Sequence, residues 1–168
     1  RAGLTGIHDF DNSLALSALL EMEARGELAL RVVKGIPHEL LSETIAMGLR
    51  TGFGGEHLTL GPVKLFADGA LGPQTAWMLE PYSDDPSTSG LNTEPVADIE
   101  ETARIAIENG FQLCVHAIGD RANRETLDLY ERTFRAHPDK KNLRWRIEHA
   151  QHLSPSDVPR FAKLGVIA

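Results

Sequence analysis

The sequence predicts an α/β fold in which parallel strands alternate with crossover helices. Two observations support this prediction. Short apolar runs typical of strands recur along the chain, and segments with apolar residues at three- and four-residue spacing separate them. The strand-like runs begin near residues 4, 28, 58, 111, 143 and 166. Most intervals fit one βα unit, and such regular alternation indicates a parallel sheet joined by helices.

Each predicted helix has a recognisable beginning or end. The first follows the capping side chains of residues 11–13 and stops at Gly26. The last begins at Ser154-Pro155, a serine cap followed by proline at the first helical position, and stops at Gly165. The others begin at Pro37, at residue 95 and after Asp120, which we interpret as an N-cap.

The absence of two glycine motifs narrows the choice among parallel α/β folds. No GxGxxG follows a strand and no GxSxG is present, which disfavours the Rossmann and α/β-hydrolase folds. A (β/α)8 barrel remains, although a full barrel takes about 250 residues and eight units. We therefore predict that residues 1–168 form one domain that is part of a TIM barrel.

Composition excludes several kinds of partner. The chain has 168 residues, 42% hydrophobic and 24% charged, which is typical of a soluble globular protein. Its net charge of −7 and its lack of a Lys/Arg stripe argue against nucleic acid. No apolar window is long enough for a membrane helix. The single cysteine, Cys114, excludes an internal disulfide. No targeting signal is visible, so we expect a cytoplasmic protein, although the chain begins with Arg1 rather than Met.

A long irregular connection covers residues 68–92. It contains the sequence DGALGPQ, further prolines and a Ser/Thr cluster. Long connections of this kind in a compact domain are usually functional. Trp77 and its apolar neighbours give this connection a face that we expect to pack over other parts of the fold.

Two histidines stand at the predicted C-terminal ends of neighbouring strands, His116 and His149. The active site of a βα-barrel lies at this end of the strands. Two neutral imidazoles can bind a Zn²⁺-type ion, which lowers the pKa of bound water to about 7 and polarises a carbonyl. From spacing alone, the histidines are equally well explained as polar strand ends.

Side-chain alternation offers a check on this hypothesis. His116 lies on the same side of its strand as Cys114, and His149 on the same side as Trp145 and Ile147. If these sides face the barrel interior, both histidines reach the site. The same alternation sends Arg146 and Glu148 outward among the helices.

Lys64 is unusual because it lies within an apolar run, and lysine is rarely buried without a partner. Two explanations remain open. Lys64 pairs structurally with Asp68, or it bridges metal ions after carboxylation.

Four segments, in order, resemble the amidohydrolase superfamily, in particular the YtcJ-like family 3 metal-dependent hydrolases. They are VKLFADGALG (63–72), VHAIGDRAN (115–123), RIEHAQHL (146–153) and RFAKLGVIA (160–168). The resemblance implies a (β/α)8 barrel with a divalent metal centre, expected to hold one or two Zn²⁺ ions. It also implies hydrolysis of amide-type C–N bonds by a metal-activated water, with deformylation of N-substituted formamides as one known activity.

The resemblance also assigns roles to residues. His116 and His149 match the fifth- and sixth-strand metal ligands, and Lys64 matches a lysine that is carboxylated in some relatives. Asp68 and Trp77 are the candidate substrate contacts. Pro73-Gln74 departs from the Ser-Arg that relatives often have.

The family's first-strand His-x-His pair and last-strand aspartate, its general base, are absent, so the chain is expected to cover roughly the second to seventh strands. We therefore expect a small amide-type substrate, no nucleic-acid or membrane partner, and little activity from this chain alone. A homo-oligomer is left open. The alternatives are an ester or lactone hydrolase of the same superfamily and a metal-free binding or structural module.

Overall fold

A computed structural model describes residues 3–168 of the chain. The predicted alternation of strands and helices is confirmed in it. The strands are β1 (Gly6–Asp9), β2 (Arg31–Pro37), β3 (Leu58–Phe66), β4 (Leu113–Ala117) and β5 (Arg146–His149). The helices are α1 (Ser13–Ala24), α2 (Leu41–Ala46), α3 (Val96–Glu108), α4 (Asp120–Ala136) and α5 (Val158–Leu164), and a 3₁₀ turn (His38–Leu40) precedes α2.

All five strands of the described region lie in one parallel sheet in the order β1-β2-β3-β4-β5. Strands adjacent in sequence are therefore adjacent in space, as in a βα-barrel. The sheet is strongly curled. Arg146 Nη1 on β5 lies 3.4 Å from His8 Nε2 on β1, although these strands are at opposite ends of the sheet order. The architecture is a curled half-barrel, as expected for part of a TIM barrel.

The main core lies on the convex side of the sheet, between β3–β5 and helices α3–α5. Trp145 is fully buried there and packs edge-on against Tyr130 and Phe134 of α4. Its indole nitrogen donates to the carbonyl of Phe111 at 3.2 Å. A second, smaller cluster of Leu28, Val32 and Leu58 lies under α1. The strand ends that carry the histidines are thus set on the densely packed part of the fold.

Three predicted boundaries were wrong. The second strand, predicted to begin near residue 28, is observed at Arg31–Pro37. The helix predicted from Pro37 is reduced to the 3₁₀ turn and the six residues of α2. The predicted sixth strand is a single parallel bridge between Ile167 and Arg146. The apolar residues were identified correctly, but nothing in their spacing fixes where backbone pairing begins.

The Gly61-Pro62 pair lies within β3 without ending the strand. The register between β2 and β3 shifts here, from Lys34 opposite Leu60 to Ile36 opposite Val63. The extra residue on β3 is absorbed as a bulge, which is where a proline inside a sheet is tolerated.

The long connection predicted over residues 68–92 is observed at residues 67–95, which contain no helix or strand apart from an isolated bridge between Asp68 and Asn92. We call residues 68–79 the β3 loop. Among the described residues, no helix is long and apolar enough to span a membrane.

Candidate metal centre

The C-terminal ends of the parallel strands meet at one edge of the half-barrel. Phe66 is opposite His116 in the register of β3 and β4, and His116 is opposite Glu148 in that of β4 and β5. Laterally paired residues of a parallel sheet lie on the same face. The side chains of Phe66, His116 and Glu148 therefore form one row on the concave face, at the end where barrel enzymes place their sites.

The structure brings His116 and His149 together. Their ring centroids are 4.5 Å apart and the rings meet edge to face at 71°. The side chain of His116 is 13% exposed, whereas His149 is exposed. Two imidazoles at this separation, on neighbouring strands and open on one side, can contribute ligands to one metal centre.

The side-chain alternation predicted for β4 agrees with the structure, but that for β5 was wrong. Cys114 shares the concave face with His116, as expected. Trp145 and Ile147 instead belong to the helix-covered core. Arg146, opposite Cys114 in the register, and Glu148 occupy the concave face. Continued alternation would direct His149 toward the helices, away from His116.

The backbone conformation at the end of β5 directs His149 toward His116 instead of toward the helices. His149 has φ of 72° and the following Ala150 has φ of 43°, both in the left-handed region. Non-glycine residues adopt this conformation at a cost of roughly 1–2 kcal/mol each. The strain is placed where it turns the His149 ring from the core side toward His116. Strand alternation cannot reveal this turn, because it assumes an extended backbone at every residue.

A hydrogen bond fixes the tautomer of His116. Its Nε2 lies 2.7 Å from the carbonyl oxygen of Gly69. A carbonyl can only accept, so Nε2 carries the hydrogen and Nδ1 has the free lone pair. Burial lowers the pKa of His116 below its ordinary value, and the nearby Lys64 and His149 act in the same direction. His116 is thus a neutral imidazole near neutral pH, which is the form that binds metals.

Lys64 lies on the same concave face, one register row below His116. It is opposite Cys114 and only 7% exposed. Its Nζ donates to the carbonyl of Leu65 at 3.0 Å and lies 3.7 Å from the centroid of the Phe66 ring. Among residues 3–168 no carboxylate lies within salt-bridge distance of Nζ. Burial lowers the pKa of Lys64 to about 8.

The suggested Lys64–Asp68 pair does not form, because Asp68 has other partners. The carboxylate of Asp68 is completely buried. It accepts three backbone N–H groups, from Ile118 at 3.0 Å, Gly119 at 2.7 Å and Trp77 at 2.9 Å. This geometry leaves little of the carboxylate for a substrate.

Trp77 is half-buried and packs against the main core. The guanidinium of Arg121 lies 4.8 Å from its ring centroid. The β3 loop thus packs over the end of β4 and the start of α4, as its apolar side predicted. Asp120 is not the N-cap of α4 but its first residue, and its Oδ1 accepts the N–H of Leu79 at 2.8 Å.

Sequence reasoning misplaced one polar pair near the strand ends and missed another. The first is Arg146 with Glu148, 2.7 Å apart on the concave face, whereas the alternation argument had placed both residues outside among the helices. The second is His38 with Glu94 beside the end of β3, where His38 Nδ1 and Glu94 Oε2 are 3.9 Å apart. His38 follows β2 directly, and a correctly placed β2 would have marked it as a strand-end residue. Burial raises the pKa of Glu94.

The donors present fit part of a metal centre. Within the described ranges, no group of three or more His, Cys, Asp and Glu side chains is arranged to hold an ion. His116 and His149 supply two imidazoles, while a catalytic zinc site takes about three protein ligands. The donor chemistry suits a Zn²⁺-type ion, and the number of ligands calls for at least one more group.

Comparisons with known proteins agree with this fold. The model of the amidohydrolase family matches residues 1–168. The chain is 34% identical over 170 residues to YtcJ of Bacillus subtilis, covering 98% of this chain and 31% of YtcJ. It is 42% identical over 113 residues to the protein LONG AFTER FAR-RED 3 of Arabidopsis thaliana, covering 67% of this chain and 19% of that protein.

The fold is similar to the crystal structure of an uncharacterized metal-dependent hydrolase from Pyrococcus furiosus. The TM-score is 0.80 at 34% sequence identity, over 96% of this chain and 32% of that one. A metal-dependent hydrolase from Pyrococcus horikoshii gives the same TM-score and identity. The chain spans about a third or less of the length of these relatives. The family model matches this chain along its whole length, and YtcJ is 34% identical to it over 98% of its residues. The chain therefore belongs to the amidohydrolase family.

Proposed function

We propose that this chain carries part of the active site of a metal-dependent hydrolase that acts on amide-type C–N bonds. The observation that carries the proposal is the pairing of His116 and His149 on the concave face, with ring centroids 4.5 Å apart. Membership of the amidohydrolase family and the metal-dependent hydrolases of the same fold support it. When bound, a divalent ion such as Zn²⁺ polarises a carbonyl and activates water.

His116 and His149 would hold the ion, and a different feature of the structure orients each ring. The bond from His116 Nε2 to the Gly69 carbonyl leaves Nδ1 as the donor atom. His149 is held near His116 by the strained backbone at residues 149–150. A ligating histidine whose other nitrogen is hydrogen-bonded has a fixed orientation, which raises metal affinity.

Lys64 is the candidate for a further ligand. Its buried amine has no carboxylate partner within the described structure and lies one row below His116. After carboxylation it would carry a carbamate that can bridge two ions, which would give one or two ions per site. The general-base aspartate is expected from outside residues 1–168. Trp77 lies in the β3 loop and is the candidate substrate contact.

The metal proposal is tested by titrating the purified chain with Zn²⁺ and, in parallel, with Co²⁺ as a visible probe. We expect H116A and H149A each to weaken binding at least about tenfold, because each removes one of two imidazole donors. The matched control is H57A, since His57 is exposed and precedes β3 at the opposite end of the sheet. Equal metal affinity of H116A and the parent chain would contradict the assignment. Failure of the parent chain and all variants to bind either ion would favour a binding or structural module.

The bond type is tested separately with a longer protein that contains this region and the missing strands. A panel of N-substituted amides, esters and lactones distinguishes C–N hydrolysis from the ester-cleaving alternative. We expect amide turnover that is lost in H116A, and little or no turnover by the 168-residue chain alone. Preference for lactones would reassign the substrate class without affecting the metal assignment.

A further inference from the structure

The β3 loop is attached to the end of β4 by one buried carboxylate. Asp68 is 1% exposed, and its two oxygens accept the N–H groups of Ile118, Gly119 and Trp77. Two of these donors belong to the turn between β4 and α4, and the third belongs to the loop itself. Hydrogen bonds to an ionised carboxylate are roughly twice as strong as neutral ones. Asp68 therefore joins the loop to the strand end that carries His116.

The rest of the loop is fixed to the same turn by its backbone. The carbonyl of Trp77 accepts the N–H groups of Arg121 and Ala122, both at 3.2 Å, in the first turn of α4. Gly119 must lack a side chain here, because a Cβ would lie 2.0 Å from the Trp77 carbonyl oxygen. The loop thus occupies the N-terminal end of α4, where the first N–H groups have no partners within the helix.

Gly69, next to Asp68, is held on both sides. Its N–H donates to the carbonyl of Thr75 at 3.1 Å, and a Cβ at Gly69 would lie 2.1 Å from the Thr75 hydroxyl oxygen. Its own carbonyl accepts from His116 Nε2 at 2.7 Å. The position of this carbonyl relative to the imidazole depends on where the neighbouring Asp68 is anchored.

We propose that Asp68 is a positioning residue: by holding the Gly69 carbonyl against Nε2, it fixes the tautomer and ring orientation of His116 and leaves Nδ1 free as a donor. The consequence for metal binding rests on the proposed function, whereas the tautomer assignment does not. Asp68 acts mainly through the backbone, since its Oδ1 is 3.5 Å from Nε2 whereas the Gly69 carbonyl oxygen is 2.7 Å from it. This replaces the substrate contact that the sequence suggested for Asp68.

The variant that tests this role is D68N, which keeps the size of the side chain. An amide has one acceptor oxygen, so its NH₂ group must face at least one of the three N–H donors. The loop then loses part of its anchor, and the Gly69 carbonyl no longer has a fixed position. We expect His116 to change from a single tautomer to a mixture, and Zn²⁺ affinity to fall about 10- to 100-fold, as is typical for the loss of a partner behind a ligand.

The chain offers a matched control in Asp157, which is 3% exposed and accepts from Arg124 and Arg160 in the contact between α4 and α5. D157N also removes the charge of a buried carboxylate, but in the helix layer. We expect it to lower stability without changing the tautomer of His116. The tautomer is read from the ¹⁵N shifts of the labelled imidazole, above the pH range in which histidine is protonated.

The outcomes separate this inference from the proposed function. A tautomer change in D68N and not in D157N supports the positioning role, even if no variant binds metal, in which case only the metal assignment fails. Folded D68N with an unchanged His116 tautomer overturns it. If D68N does not fold, the ¹⁵N shifts of His116 in the parent chain still test the inference. A hydrogen on Nδ1 rather than Nε2 would overturn it without any variant.

Discussion

The two ends of the sheet differ in how well their helices are packed. Helices α3 and α4 bury apolar residues against β3–β5, whereas α1 has no buried residue. Large apolar side chains are exposed on and around α1 and α2, among them Leu14 at 77%, Met47 at 74% and Phe53 at 60%. His116 and His149 lie in the well-packed part. Rigid placement of a ligand pair needs packed supports, and the β1–β2 end lacks them.

The strongest test of this contrast compares W145A with L14A. Trp145 is fully buried between rings of α4, so we expect W145A to lower the free energy of unfolding by about 3–5 kcal/mol. Leu14 is mostly exposed, so L14A should change it by less than about 0.5 kcal/mol. Urea denaturation measures both. Similar losses in the two variants would show that the ends are equally packed.

Lys64 should make the stability of the folded chain depend on pH. Its pKa in the folded chain, about 8, lies below the ordinary value of 10.5, so protonation opposes folding. The free energy of unfolding should therefore rise by up to about 3 kcal/mol as pH increases from about 8 to about 10.5. Below pH 8 Lys64 is protonated in both the folded and the unfolded chain, so its destabilising effect is then full and constant. The variant K64M has no such group. Parallel stability curves for K64M and the parent chain across this range would contradict the prediction.

Hydrogen exchange compares the two ends without any substitution. Amides of β4 and α4 should exchange at least about tenfold more slowly than those of β1 and α1, because local opening needs less free energy where few apolar contacts are broken. The measurement is mass spectrometry of peptides that cover residues 6–24 and 113–136. Uniform protection would mean that the exposed side chains around α1 are not a sign of low local stability.

The smallest expected effect concerns the strain at His149. Asparagine tolerates the left-handed region better than histidine, so H149N should leave stability unchanged or raise it by less than about 1 kcal/mol. It should weaken Zn²⁺ binding at the same time. Thermal unfolding and the metal titration are the measurements. A loss of more than about 1 kcal/mol would show that the His149 ring stabilises the fold rather than straining it.

Parts of the site were predictable because they depend on local pattern. The run that ends at His116 is a strand, and the alternation of β4 places Cys114 and His116 on the concave face as predicted. The connection after Phe66 was recognised as irregular and packed over its surroundings. The His38–Glu94 pair was not predictable, since its members meet only through the return of a loop. Arg146 and Glu148 are two residues apart on β5, so alternation places them on one face, but only the structure shows that this face is the concave one.

The sequence by itself determined the order of strands and helices, the parallel sheet, the family and the two histidines as strand-end residues. These follow from the periodicity of apolar residues and from short ordered motifs, both of which are local. Only the tertiary structure decided that His149 turns away from the core side to face His116, and that Asp68 holds the loop behind it rather than pairing with Lys64. Both depend on backbone conformation and on hydrogen bonds between segments far apart in the chain, where residue types alone allow several partners.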